Sequence, residues 1–97
     1  MNPAAELGWD HLFIGHFEKS IESFDKAILG SPYDPYLGFW YGGKAIANFG
    51  LKRYDQAIDW ARQAIAINPN YVQYVYATLV AALALTGHDA RREALQR

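Results

Sequence analysis

Arg53-Tyr54-Asp55-Gln56-Ala57-Ile58, running on through Gln63-Ala64-Ile65-Ala66-Ile67-Asn68-Pro69, carries a single apolar face. Ile58, Ala61, Ala64 and Ile65 recur at intervals of three and four, which places them along one side of an α-helix. Asn68-Pro69-Asn70 stops that helix, because proline cannot continue it and biases the preceding residue away from helical geometry. About 37 positions upstream the pattern returns without a gap. Phe17 falls on Tyr54, Ser20 on Ala57, Ile21 on Ile58, Ala27 on Ala64, Ile28 on Ile65 and Pro32 on Pro69. There Ile21, Phe24, Ala27 and Ile28 supply the face and Gly30-Ser31-Pro32 the stop. In the segments that precede these helices Gly8, Ala45 and Ala82 align, as do Trp9, Ile46 and Leu83, and Phe39 falls on Tyr76. A second shift carries Ala57 to Ala94 and Ile58 to Leu95.

The repeat predicts an all-α chain with helices over about 4–14, 17–29, 37–51, 54–67, 71–86 and 89–97, grouped into units of about 1–34, 38–71 and 75–97 in a single domain. Asn2-Pro3 reads as a cap followed by the favoured first-turn proline. No alternating run bounded by hairpin turns suggests a strand. Gly8 with Ser20, Ala45 with Ala57 and Ala82 with Ala94 place minimal side chains on both helices of each antiparallel pair, where the backbones approach most closely.

Composition narrows the function. The 97 residues include 3 Trp, 7 Tyr and 5 Phe and carry a formal charge of −1. That chain is too apolar and ring-rich to be disordered, and its rings exceed what one small core requires, so part of the surplus is expected to meet a partner. A charge near zero lacks the basic stripe of a nucleic-acid footprint. With no cysteine, the chain suits a reducing, cytoplasmic compartment. No apolar run approaches the ~20 residues of a membrane helix, and Met1-Asn2-Pro3-Ala4-Ala5-Glu6 has neither the basic head nor the apolar core of an export signal.

A helix pair with small residues at these places, an aromatic about five residues after them and a closing proline resembles the tetratricopeptide repeat family, whose unit is about 34 residues. Phe17 to Ile28 and Arg53 to Pro69 carry the likeness, which covers nearly the whole chain. The departures are three additional residues in the Tyr33-Asp34-Pro35-Tyr36-Leu37 connection, Lys52 in place of the usual turn glycine, and the lack of a counterpart in unit one to the usual first-helix Trp. Unit three aligns in more than one way around Gly87-His88-Asp89-Ala90-Arg91-Arg92-Glu93-Ala94. Asp34-Pro35-Tyr36-Leu37-Gly38-Phe39-Trp40, with Ala47 to Ala57 and Leu83 to Gly87, also looks like the repeat tails of bacterial adenylate-cyclase-type signalling proteins and bacterial regulators.

The family resemblance implies a right-handed α-solenoid of about three antiparallel helix pairs, with the first helices lining a concave groove. Carried over, the groove residues are Trp9, Leu12 and Phe13, then Phe39, Ile46 and Phe49, then Tyr76, Leu79 and Leu83, with Ala5 and Gly42 between them. This set suits an apolar or amphipathic partner segment, although each ring read alone is equally an inter-helix core residue. Members that bind acidic chaperone tails use Lys, Asn and Arg as a carboxylate clamp. Here Lys44 and Asn48 come nearest and fall off the clamp positions. The third unit runs out before its second helix is complete, which suggests an apolar end covered by a second copy or a neighbouring domain. A self-associating homodimeric regulatory module, or an excerpt of a larger bacterial signalling protein, is therefore the alternative to a groove-binding scaffold.

Catalytic patterns are weak. Gly38-Phe39-Trp40-Tyr41-Gly42-Gly43-Lys44-Ala45 has phosphate-loop spacing, but Ala45 replaces the hydroxyl that must hold Mg²⁺ and no apolar strand precedes it. Close helix packing or ligand approach explains Gly42 and Gly43 better, since each costs about 1 kcal/mol relative to alanine in a helix. His11 and His16 have poor spacing for a shared metal, and His88 is remote. Ser20, Ser23 and Ser31 have no evident base, and Glu18, Lys19, Glu22, Asp25 and Lys26 read as a solvated helix face. The expectation is a non-catalytic protein-binding module with no cofactor, metal, nucleic-acid or membrane site.

Overall fold

Helix α1 spans Pro3–Phe13, α2 Phe17–Gly30, α3 Leu37–Gly50, α4 Tyr54–Ile67 and α5 Gln73–Thr86. The computed structural model describes residues 2–70 and 73–87, and among these there is no strand. The expected helix over 89–97 lies outside the described residues, as do the first two positions of the one expected over 71–86. Elsewhere the helices agree with the sequence periodicity to within a residue at each end.

Local chemistry sets the ends. The Asn2 side chain accepts hydrogen bonds from the Ala4 and Ala5 amides at 3.0 and 3.4 Å, and Pro3 occupies the first turn, where its missing N–H costs nothing. Asn2 also donates to the Ala27 carbonyl at 3.2 Å, tying the start of α1 to the end of α2. Helix α1 ends with Gly15 in the left-handed region, and the His16 amide reaches back to the His11 carbonyl at 2.8 Å. Helix α3 ends the same way without glycine: Lys52 holds φ 62°, and the Arg53 amide reaches the Asn48 carbonyl at 2.9 Å. A left-handed side-chain-bearing residue is strained, so the departure from glycine at Lys52 is a small cost built into the second turn.

Helices α1, α3 and α5 form one layer and α2 and α4 pack beneath it, each lower helix between two upper ones. Small residues make this spacing possible. Ser20 is fully buried and donates to the Gly8 carbonyl at 2.8 Å, while its counterpart pair, Ala45 and Ala57, is also fully buried. The Phe24 ring lies between two glycines: a Cβ at Gly8 would stand 2.8 Å from it, and one at Gly43 would stand 2.6 Å from it. Gly43 therefore admits a neighbouring ring, and the phosphate-loop-like segment is continuous α-helix in which Gly42 admits Val75 in the same manner.

The third unit has a different register from the one a uniform shift gives. Ala5, Phe24, Ala27 and Trp40 form one core cluster; Ala45, Ala61, Ala64 and Val75 form the next. Ala61 and Ala64 replace Phe24 and Ala27 at the full shift, but Val75 replaces Trp40 two residues early. The third left-handed turn agrees: Gly87 donates to Ala84 as Lys52 does to Phe49 and Gly15 to Leu12. The residue standing where Phe39 stands is thus Tyr74, and Tyr76 takes the place of Tyr41.

Candidate functional site

The exposed side of the α1–α3–α5 layer is divided by an aromatic bridge. Trp9 meets Tyr74 across α3, with ring centroids 6.3 Å apart at 72°. Gly42 makes this crossing possible, because a Cβ there would stand 3.0 Å from the Tyr74 hydroxyl oxygen and 2.7 Å from Val75 Cγ2. Tyr74 donates a long hydrogen bond of 3.5 Å to the Phe39 carbonyl. Burial pushes its hydroxyl pKa up from 10.0 to about 12, because the phenolate loses water when the ring lies against the layer.

On the amino-terminal side of this bridge lies a cleft of about 710 Å³. One wall is the Asn2 cap with Ala5, Glu6 and Trp9 of α1; the other is Asp34, Pro35 and Tyr36 of the connection, followed by Phe39 and Trp40 of α3. Trp9 is fixed from below by an edge contact to Phe24 at 5.0 Å, and Tyr36 and Phe39 lie 5.9 Å apart. Asp34 shapes the connection by accepting the Tyr36 amide at 2.8 Å, a turn-forming bond that leaves its second carboxylate oxygen available. The cleft therefore combines ring faces with two carboxylates, a lining that can hold an apolar or a cationic group and disfavours an anion.

The nine residues expected on a groove are not brought into one strip. Trp9 and Phe39 line the cleft. Leu12 is buried in the core, and Phe13 extends Trp9 outward, stacked at 6.2 Å and 80% exposed. Ile46 is half-buried. Phe49, Leu79 and Leu83 pack onto the cluster of Ala57, Ile58 and Ala82, where Phe49 also meets Tyr54 edge-on at 5.4 Å, so these three hold the second and third units together. Tyr76 points to the preceding loop and donates to the Pro69 carbonyl at 3.0 Å. Glu6, Asp34, Pro35, Tyr36 and Trp40 also line the cleft, and repeat spacing alone does not mark them. The paired prolines around Asp34 were the available signal, since they mark a rigid connection able to form a wall.

The polar residues of α3 serve packing. Lys44 is 6% exposed, pairs with Asp25 of α2 and places its ammonium 3.5 Å from the centre of the Trp60 ring. Asn48 is buried and donates to the Lys44 carbonyl at 2.8 Å. His11 and His16 face each other with ring centres 6.0 Å apart, and among the described residues no three metal-ligating side chains come together. No helix among the described residues is long and apolar enough to cross a membrane.

These features define the class: an all-α, tetratricopeptide-like array of antiparallel helix pairs whose exposed layer carries an aromatic cleft. Residues 39–71, which take in α4 and all but the first two residues of α3, match the family described as tetratricopeptide repeat. The chain is also 33% identical over 93 residues to the mouse (Mus musculus) interferon-induced protein with tetratricopeptide repeats 3. That alignment covers 93% of this chain and 22% of the relative, so the chain spans about a fifth of that protein's length. No solved structure matches significantly. Tetratricopeptide repeats generally mediate protein–protein interaction. The likeness to bacterial adenylate-cyclase-type tails finds no support in these matches.

Proposed function

We propose that the chain acts by binding a protein partner in a cytoplasmic setting and does no chemistry of its own. The observation that carries this reading is the cleft between α1 and α3, where Trp9, Tyr36 and Phe39 offer ring surface beside backbone fixed by the Asn2 cap and the Asp34 turn. A partner segment laid along the exposed layer would anchor at Trp9 and Phe39 and extend over Phe13 at one side, with Ile46 farther along α3. Phe49, Leu79 and Leu83 pack between the second and third units, Leu12 lies in the core, and Tyr76 braces the loop before α5. Rigid rings held in place before binding lose little freedom on association, which is why such positions dominate binding energy.

Selection of random peptides on the whole chain tests the reading. Peptides should be enriched, and Tyr36→Ala or Trp9→Ala should weaken them by about tenfold or more while helical circular dichroism persists. No enrichment, or peptides indifferent to both changes, would overturn it. A second reading, association of two copies, is favoured by Phe13 and Ile14, consecutive and 80% and 64% exposed at the end of α1. Sedimentation equilibrium separates the two: a monomer at all concentrations removes the second, and a dimer dispersed by Phe13→Ser supports it.

A further inference from the structure

We infer that the cleft between α1 and α3 is specific for a cationic side chain of the partner, the guanidinium of an arginine. This rests on the binding role proposed above and names the chemistry that the same site selects. Two acidic residues line the cleft, Glu6 from α1 and Asp34 from the connection, and among the described residues no lysine, arginine or histidine lines it with them. Among the described residues the ion pairs are Lys44 with Asp25 and Arg53 with Glu18, so neither cleft carboxylate is in one. Lys26 borders the adjoining depression, which shares Asn2 and Asp34 with the cleft, but forms no ion pair with Asp34 there.

An apolar side chain filling this space would strip water from two carboxylates and return nothing to them. A guanidinium answers both demands: its flat face lies on Trp9, Tyr36 or Phe39, and its N–H groups donate to Glu6 and to the free oxygen of Asp34. Arginine fits better than lysine because a planar fork can stack and donate in the same pose, whereas an ammonium is a compact, strongly hydrated point charge. The use of Lys44 over Trp60 elsewhere in the chain shows the same pairing of cation and ring with a carboxylate beside it, built there as internal packing.

The test uses N-acetyl-arginine methylamide and its uncharged analogue N-acetyl-citrulline methylamide, titrated into the whole chain and followed through the indole N–H signals of Trp9 and Trp40. Trp60, on the far side of α3, serves as the internal control. The expected result is movement of the Trp9 and Trp40 signals with about tenfold preference for the arginine compound, and loss of that preference in Glu6→Gln/Asp34→Asn. Asparagine keeps the turn-forming acceptor at position 34, and Asp10→Asn, on α1 outside the cleft, should leave the preference intact. Equal affinity for the two compounds, no movement of either signal, or preference unchanged in the double variant would overturn the inference. Because the probe needs no natural partner, this outcome is separable from that of peptide selection. Peptides enriched without dependence on arginine would leave the binding role standing and remove only the cation specificity.

Discussion

Gly43→Ala sets helix propensity against packing, and the structure says which wins. In an exposed helix the change stabilises by about 1 kcal/mol, because glycine loses more backbone freedom than alanine. At Gly43 the added Cβ would stand 2.6 Å from two carbons of the Phe24 ring. That ring is fully buried, Gly8 closes its other side at 2.8 Å, and Trp9 lies edge-on at 5.0 Å, so it has no direction in which to retreat. Overpacking of this kind costs about 1–3 kcal/mol, so the net effect is destabilisation by up to about 2 kcal/mol. Gly30→Ala is the matched control, since nothing lies within 4 Å of its Cβ and it should stabilise by up to about 1 kcal/mol. Urea unfolding followed by helical circular dichroism measures both. A cycle with Phe24→Leu isolates the contact: the shorter side chain should relieve the clash, giving a coupling larger than the ~0.5 kcal/mol seen between independent sites. Gly43→Ala as stabilising as Gly30→Ala, or additivity with Phe24→Leu, would refute the wedge.

Ser20→Ala removes the buried hydrogen bond to the Gly8 carbonyl and should cost about 1 kcal/mol; an unfolding midpoint equal to that of the parent would contradict it. Lys52→Gly releases the left-handed strain at φ 62° and should stabilise by about 0.5–1 kcal/mol, raising the melting temperature by a few degrees. Tyr74 makes stability depend on alkaline pH. Its hydroxyl ionises near 10.0 in the unfolded chain and near 12 in the folded one, so its contribution is complete below pH 10 and is lost as pH rises towards 12. With the residue still 36% exposed, the effect is modest. Tyr74→Phe should flatten that part of the stability curve and remove a phenol that ionises near 12 from an ultraviolet titration.

The helices were legible because their signals are local. Spacing of Ile58, Ala61, Ala64 and Ile65, the proline stops and the Asn2-Pro3 cap act within one or two turns of chain, and each matches the observed element. The small pair Gly8 and Ser20 was legible for the same reason, and the structure adds a hydrogen bond between them. The cleft was only half legible. Trp9 and Phe39 were found because an aromatic on a repeat position is conspicuous. Glu6 and Asp34 were not, because their significance arises only when the proline-bounded connection folds over α1. The register of the third unit stays open in the sequence for a different reason: a uniform shift sets Tyr76 on Phe39, whereas Tyr74 is the ring that crosses Gly42 to Trp9. Burial also separates rings that the sequence treats alike, since Phe49 joins two units and Phe13 stands in solvent.

The central claim is that the layer of α1, α3 and α5 recognises a partner at the cleft beside Trp9. Amide and indole chemical-shift mapping of the whole chain with a selected peptide tests it most directly. The account predicts that the largest changes fall on Glu6, Trp9, Asp34, Tyr36 and Phe39, with α4 unmoved; changes concentrated on the outer faces of α2 and α4, with these five residues silent, would contradict it.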